Sequence, residues 1–350
     1  MDERFVSRTV YSGKHRVHVV EAGSGPLVLF CHGFPESWYS WRHQLSALAD
    51  AGFRAVAMDM RGYGRSSKPV AVSDYRITEL VEDCVGVVHA MGEPTAVIVG
   101  HDWGAPVAWT AAWTRPDVFR AVAGLSVTFG GRGLMGLPGD PLGERRPSLV
   151  EREVAGPDLL FYQEHFCSAA GSAEFQGDVR GWMRGGLYGF SASPPLPPEM
   201  AGVDLTALPD EAVLQFTRSV MCFEPGTGMR DRMPPVPDPL PSWLTEADID
   251  FYAEEFERTG FEGGLNYYRC VDLDWELLAA YEGRPVSVPS LYIGGDRDVA
   301  TIWAKEAISM LPKTQSDLRG SHIVRDAGHW IQQEQPEQVN ALLLEFLRGL

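Results

Sequence analysis

Short apolar runs punctuate the first third of the chain, each ending in a loop. Residues 27–31 precede His32-Gly33-Phe34-Pro35, and residues 53–58 precede Asp59-Met60-Arg61-Gly62-Tyr63-Gly64. Residues 96–99 stop at Gly100, and residues 121–127 follow a helix-like stretch. Continuous apolar runs without alternation mark strands buried on both faces. Their alternation with helices predicts an α/β architecture with a mostly parallel, doubly wound sheet. The pattern stops at about residue 130. From 130 to 269, glycine and proline clusters separate helical segments, and no clear strand is predicted. Strand pattern resumes at 286–293, before Gly294-Gly295-Asp296-Arg297-Asp298, and at 322–324, before Asp326-Ala327-Gly328-His329. Residues 337–347 have the period of an amphipathic helix. The expectation is a core of residues 1–130 and 270–350, with a helical cap inserted over 131–269.

Charge narrows the partners. The 350 residues carry a formal net charge of −17, which argues against nucleic-acid and anionic-membrane partners. A hydrophobic fraction of 45% and a charged fraction of 22% are ordinary for a globular protein. No apolar run is long enough to cross a bilayer, and the first residues lack the apolar centre of a signal peptide. Cys31, Cys84, Cys167, Cys222 and Cys270 are scattered and form no C-x-x-C pair, which predicts a reducing, cytoplasmic setting. The histidines show no metal-ligand spacing, so neither metal nor cofactor is expected. Gly62-Tyr63-Gly64 with Ser66 lacks the lysine and spacing of a phosphate loop. The proline-rich stretches at 193–198 and 233–239 suit either connectors or lid loops. Oligomeric state is not legible.

The chemistry concentrates at Gly100-His101-Asp102-Trp103-Gly104. This G-x-D-x-G spacing is a nucleophile-elbow pattern with an acid where serine hydrolases carry serine. The glycines permit a tight strand-to-helix turn, and a carboxylate needs no base to activate it. The structural alternative is that Asp102 caps a helix starting near Ala105. In open parallel sheets, functional groups gather beyond the carboxyl ends of the strands. Those positions hold His32-Gly33-Phe34-Pro35, Asp102, Asp296 or Asp298, and His329. Singly, Asp298 could cap a helix and His329 could pack beside Trp330. Together, a nucleophile, an acid and a histidine in this order match the chain order of the α/β-hydrolase fold. A serine nucleophile is disfavoured, because Gly124-Leu125-Ser126-Val127-Thr128 ends in threonine rather than glycine.

Several segments closely resemble the soluble epoxide hydrolases of the α/β-hydrolase fold. They are His32-Gly33-Phe34-Pro35-Glu36-Ser37-Trp38-Tyr39-Ser40-Trp41-Arg42, Asp59 to Ser66, the elbow, and Gly328-His329-Trp330. The likeness thins in residues 131–158 and 195–245, and looks closest to bacterial enzymes with a long cap. It implies Asp102 as nucleophile and His329 as base, with Asp298, followed by Val299, fitting the orienting acid better than Asp296. It implies two cap tyrosines, Tyr162 and Tyr268, that protonate the opening epoxide; Tyr267 is the neighbour most easily mistaken for Tyr268. The backbone N–H groups of Phe34 and Trp103 become the oxyanion hole. His32, Gly33, Pro35 and Trp38 become pocket residues, with the bond before Pro35 cis. The implied partners are a small epoxide and water. A haloalkane or fluoroacetate dehalogenase would use the same aspartate ester, but the elbow lacks the arginine of fluoroacetate enzymes and the tyrosine pair favours an epoxide. A non-catalytic receptor on this scaffold would have no need of Asp102, Asp298 and His329 together.

Overall fold

The computed structural model describes residues 3–200 and 202–350. Its main sheet has eight strands. They are β1 (Val6–Ser12), β2 (His15–Ala22), β3 (Leu27–Cys31), β4 (Arg54–Met58), β5 (Ala96–His101), β6 (Phe119–Leu125), β9 (Val286–Gly295) and β10 (Gln315–Val324), in the order β1-β2-β4-β3-β5-β6-β9-β10. Two further strands, β7 (Leu160–Phe161) and β8 (Cys222–Phe223), pair antiparallel in the helical insertion. The sheet is parallel from β4 to β10, while β1 and β2 run antiparallel at one edge. Every residue of β3 and β5 is buried, which is why these strands read as unbroken apolar runs.

Strand β1 and most of β10 lie outside the apolar-run pattern for the same reason, while β2, though largely buried, is interrupted by His15, Arg16, His18 and Glu21. Both β1 and β10 are edge strands with largely exposed or half-buried positions, so their polar residues dilute the signal. The insertion contains strands β7 and β8 where none was expected. Each spans two residues, too few to generate a periodicity.

Between β6 and β9 the chain builds helices that lie over the carboxyl end of the sheet. Phe34, just after β3, meets Phe166, Phe175, Phe261 and Tyr268 from this insertion at ring-centroid distances of 5.4–6.1 Å. Burying one such side chain contributes about 1.5–3 kcal/mol, so the aromatic cluster clamps insertion to core. Polar pins reinforce it. Tyr252 exchanges hydrogen bonds with Ser40 at 2.8 Å and Gln333 at 3.1 Å, and Arg42 pairs with Asp248 at 3.2 Å. Asp248 also closes a capping box with Thr245 that starts the helix Glu246–Thr259. The C-terminal helix runs Pro336–Arg348, close to expectation, with proline in its first turn.

Candidate active site

Asp102 follows β5 with φ at +48°, a left-handed conformation rare for any residue but glycine. The neighbouring backbone permits this only because side chains are missing. A Cβ on Gly100 would strike the Gly104 carbonyl, and one on Gly104 would strike the carbonyl of Cys31. A Cβ on Gly33 would overlap the Asp102 carboxylate itself. The strained turn lifts Asp102 to the head of the helix Gly104–Thr114. Its carboxylate does not cap that helix, whose N-cap position is Trp103 with no side-chain cap. Instead, Asp102 Oδ1 accepts from the Phe34 backbone N–H at 2.6 Å. The helix-cap alternative therefore falls.

His329 lies in the loop after β10. Its Nε2 is 3.4 Å from Asp102 Oδ2, and its Nδ1 is 3.0 Å from Asp298 Oδ1. Asp298 is the expected acid, and it is a helix cap as well. It accepts from Ala300 N at 3.1 Å, Thr301 Oγ1 at 3.2 Å and Ser126 Oγ at 2.6 Å. Asp296 instead accepts from Ala327 N at 3.3 Å, away from His329. Burial works against the Asp298 charge, but His329, Ser126 and the Ala300 amide together hold this carboxyl below its ordinary range. Burial also opposes a charge on His329, and the carboxylates of Asp298 and Asp102 outweigh it, raising the imidazole well above its usual value.

Three residues of this network carry no role in the sequence reading. Ser126, rejected as a nucleophile, sits at φ +67° with its hydroxyl 3.1 Å from His329 Nδ1. Glu36 and His101 are both fully buried. Glu36 Oε2 accepts from Gly33 N at 3.1 Å and faces His101 Nδ1 at 2.8 Å, while His101 Nε2 faces the His329 carbonyl at 2.7 Å. Burial would raise Glu36, but His101 overrides it and brings this carboxyl to about 2. The pair joins the loop after β3, the elbow and the His329 loop. Its only trace in the sequence is that both residues lie inside motifs chosen for other reasons.

Across a cavity from Asp102 stand the two tyrosines. Tyr162 and Tyr268 line it with Asp102, His329, Phe34 and Pro35, and their rings meet edge-on at 5.9 Å. Burial, followed by the Asp102 charge, pushes both phenols well above their ordinary value, so both keep their protons. Gln163 Nε2 donates to the Tyr162 hydroxyl at 3.0 Å. Tyr267 turns away and donates to the Arg61 carbonyl at 2.8 Å, which separates it from Tyr268. The rest of the wall is apolar, including Val127, Met135, Phe166 and Trp303.

Three of the four expected pocket residues, Trp38, His32 and Gly33, do not line the cavity. Trp38 packs against Phe5, Tyr39 and Phe251 on the far side of its loop and does not line the cavity. His32 is spent locally: its Nδ1 lies 2.8 Å from the Gly33 carbonyl and its Nε2 accepts from Met60 N at 3.0 Å. Gly33 touches the site only by leaving room for Asp102. Pro35 does line the cavity, and the Phe34–Pro35 peptide is cis. Of the two oxyanion donors expected, only the Phe34 amide reaches Asp102; among the described residues the Trp103 amide makes no such bond.

Residues 26–148 match the family described as alpha/beta hydrolase fold. The chain is 49% identical to epoxide hydrolase B of Mycobacterium tuberculosis over 96% of both chains. It is 37% identical to epoxide hydrolase 3 of Siraitia grosvenorii over 97% of both. The chain belongs to the epoxide hydrolases of the α/β-hydrolase fold. An epoxide hydrolase from an endophytic Streptomyces superposes with a TM-score of 0.87 at 47% identity, covering 99% of this chain and 96% of that one. Epoxide hydrolase A from Mycobacterium thermoresistibile gives 0.82 at 38% identity, covering 99% of each. Among the described residues, no helix is long and apolar enough to cross a membrane.

Proposed function

We propose that this enzyme converts a small epoxide to a vicinal diol through an ester on Asp102. The observation that carries the reading is the facing arrangement of a carboxylate and two neutral phenols across one cavity, with His329 beside the carboxylate. Tyr162 and Tyr268 hold the epoxide oxygen, and Asp102 attacks a ring carbon from the opposite side. The carbon–oxygen bond of the ring breaks, and the alkoxide takes a phenolic proton. The residues 131–269 act as a cap that supplies this acid.

Esterification changes the base. Asp102 is one of the two carboxylates that raise His329, and as an ester it carries no charge. The imidazole gives up its proton more readily and can deprotonate a water, with Asp298 orienting the ring. Hydroxide adds to the ester carbonyl, and the oxyanion falls to the backbone N–H of Phe34, the donor that already reaches Asp102. Collapse frees the diol and restores Asp102. We place this chemistry in a reducing, cytoplasmic setting, on the strength of five unpaired cysteines.

The test is a single turnover in heavy-oxygen water with enzyme in excess over a styrene-oxide-like epoxide. The solvent label is expected in the Asp102 side chain, read by peptide mass spectrometry, and not in the first diol. Full solvent label in that diol would mean direct attack by water and would overturn the ester route.

A further inference from the structure

One buried carboxylate, unused in the mechanism above, gathers the insertion's wall of the cavity. Glu174 ends the helix Ala169–Glu174, and its side chain is 9% exposed. Its Oε1 accepts from the Arg230 amide at 2.8 Å and from Trp182 Nε1 at 3.2 Å. Its Oε2 accepts from the Met229 amide at 3.2 Å and faces His165 Nε2 at 2.7 Å. These partners come from three separate segments: the helix Tyr162–Cys167, the helix Val179–Gly189 and the stretch at 229–230. The fit is tight, because a Cβ on Gly228 would strike Glu174 Oε2. Burial would raise Glu174, but His165, the Arg230 amide and Trp182 hold this carboxyl below its ordinary range. It stays ionised and is an acceptor only.

Each of these segments also supplies the cavity. Phe166, next to His165 in the chain, lines it, as do Trp182 and Met229. The indole donors of the wall are all taken. Trp182 Nε1 goes to Glu174, Trp303 Nε1 to the Met135 carbonyl at 3.2 Å, and Trp330 Nε1 to the Leu187 carbonyl at 2.8 Å. Beyond Asp102, His329, Tyr162 and Tyr268, the lining side chains therefore offer a ligand no free N–H or O–H group. Backbone carbonyls hold Trp303 and Trp330, whereas Trp182 depends on a side chain.

We propose that Glu174 is a positioning residue that sets substrate preference, holding Trp182 and Met229 so that this wall presents only apolar surface. The idea rests on the epoxide-opening reading above and concerns which ring substituents the site accepts. A phenyl group gains by burial against such a wall. A hydroxyl group gives up its water and finds no partner there. Glu174 does not line the cavity itself and acts through the residues it holds.

Glu174→Gln keeps the size of the side chain but cannot serve the same partners. Whichever way the amide turns, its NH2 group meets a backbone N–H, that of Met229 or of Arg230. The test compares kcat/KM of the full-length enzyme for styrene oxide and glycidol, which carry phenyl and hydroxymethyl groups on the same ring. The wild type should prefer styrene oxide. In Glu174→Gln that preference should fall by roughly tenfold, mainly through a higher KM for styrene oxide. The rate of ester formation at saturating styrene oxide should change little, because Asp102 and the tyrosine hydroxyls are untouched. Trp182→Phe removes the indole N–H, so most of the effect of Glu174→Gln should vanish in that background. A folded Glu174→Gln that keeps the wild-type preference, or slows both epoxides alike, would overturn the proposal. So would an equal effect of Glu174→Gln with and without Trp182→Phe. Should Glu174→Gln fail to fold, Trp182→Phe alone should weaken the preference, and an unchanged preference would overturn the proposal. A wild type that forms no diol from either epoxide would strike the epoxide-opening reading instead. The preference would then be read as dissociation constants, by quenching of tryptophan fluorescence, with the same outcomes deciding.

Discussion

On the sheet side of the cavity, groups are held in a hydrogen-bonded ionic network. Asp298 receives Ser126, Thr301, the Ala300 amide and His329, and Glu36 receives Gly33, His101, Gln332 and Gln333. On the insertion side, Tyr162 and Tyr268 stand among phenylalanines, Met135 and Trp303 with few polar contacts. Burial is deep in both places, yet its outcome differs. Where hydrogen bonds and opposite charge outweigh desolvation, Asp298 and Glu36 stay ionised and His329 is raised. Where they do not, the phenols stay neutral. On the proposed mechanism, nucleophile and base need the first environment, and a proton donor needs the second. One cavity supplies both because two separate stretches of chain build its walls.

The strongest way to break the comparison is to remove the neutral wall's protons while keeping its shape. Tyr162→Phe or Tyr268→Phe alone should slow adduct formation by roughly 10²-fold or less, within the range for one general acid. The double variant should nearly abolish ring opening, because the alkoxide would form with no donor. Phe preserves the edge-on ring contacts, so near-ultraviolet circular dichroism should change little. A folded double variant that opens epoxides at close to the wild-type rate would remove the acid role from this wall. Turnover of chlorinated or fluorinated substrates would then decide for the dehalogenase alternative.

The ionic wall can be probed through the charge on Asp102. Because Asp102 helps to raise His329, Asp102→Asn should lower the His329 titration, read by nuclear magnetic resonance of the ring protons. The sign follows from charge: a nearby carboxylate favours imidazolium, and an amide or ester does not. The acid limb of ester hydrolysis should accordingly lie at lower pH than the His329 titration of the free enzyme. An unchanged His329 titration in Asp102→Asn would mean that Asp298 alone sets the base.

Legibility in the sequence followed burial. Strands with both faces covered, such as β3 and β5, are visible as apolar runs, whereas the edge strand β1 and all but the end of β10 are not. Asp102 and His329 were legible because they close loops at strand ends. Asp296 and Asp298 are two residues apart on one loop; no local pattern separates them, the family resemblance favours Asp298, and the fold brings Asp298 to His329. Tyr267 and Tyr268 are consecutive on a helix, about 100° apart around its axis. One therefore enters the core at Arg61 while the other enters the cavity. Glu36 and His101 are 65 residues apart, and no local pattern announces that contact. Trp38 and His32 were misplaced because motif membership was taken for cavity lining.

The finest probe concerns Ser126, which the cavity does not contain. Its hydroxyl has one proton, and Asp298 Oδ2 at 2.6 Å, an acceptor only, takes it. The oxygen is left to accept from His329 Nδ1 at 3.1 Å, sharing that proton with Asp298 Oδ1 at 3.0 Å. Ser126→Ala removes both contacts but leaves Asp298 its bonds from Ala300, Thr301 and His329. The backbone at φ +67° is equally strained for alanine and serine, so the change isolates the hydroxyl. A hydrogen bond of this kind is worth about 0.5–1.5 kcal/mol net, which corresponds to roughly two- to tenfold in rate. On the proposed mechanism the loss should fall on ester hydrolysis, assigned to His329, and not on alkylation, assigned to Asp102 without a base. Rapid-quench measurement of the two half-reactions separates them. If alkylation slows as much as hydrolysis, Ser126 supports the whole elbow rather than the orientation of one imidazole.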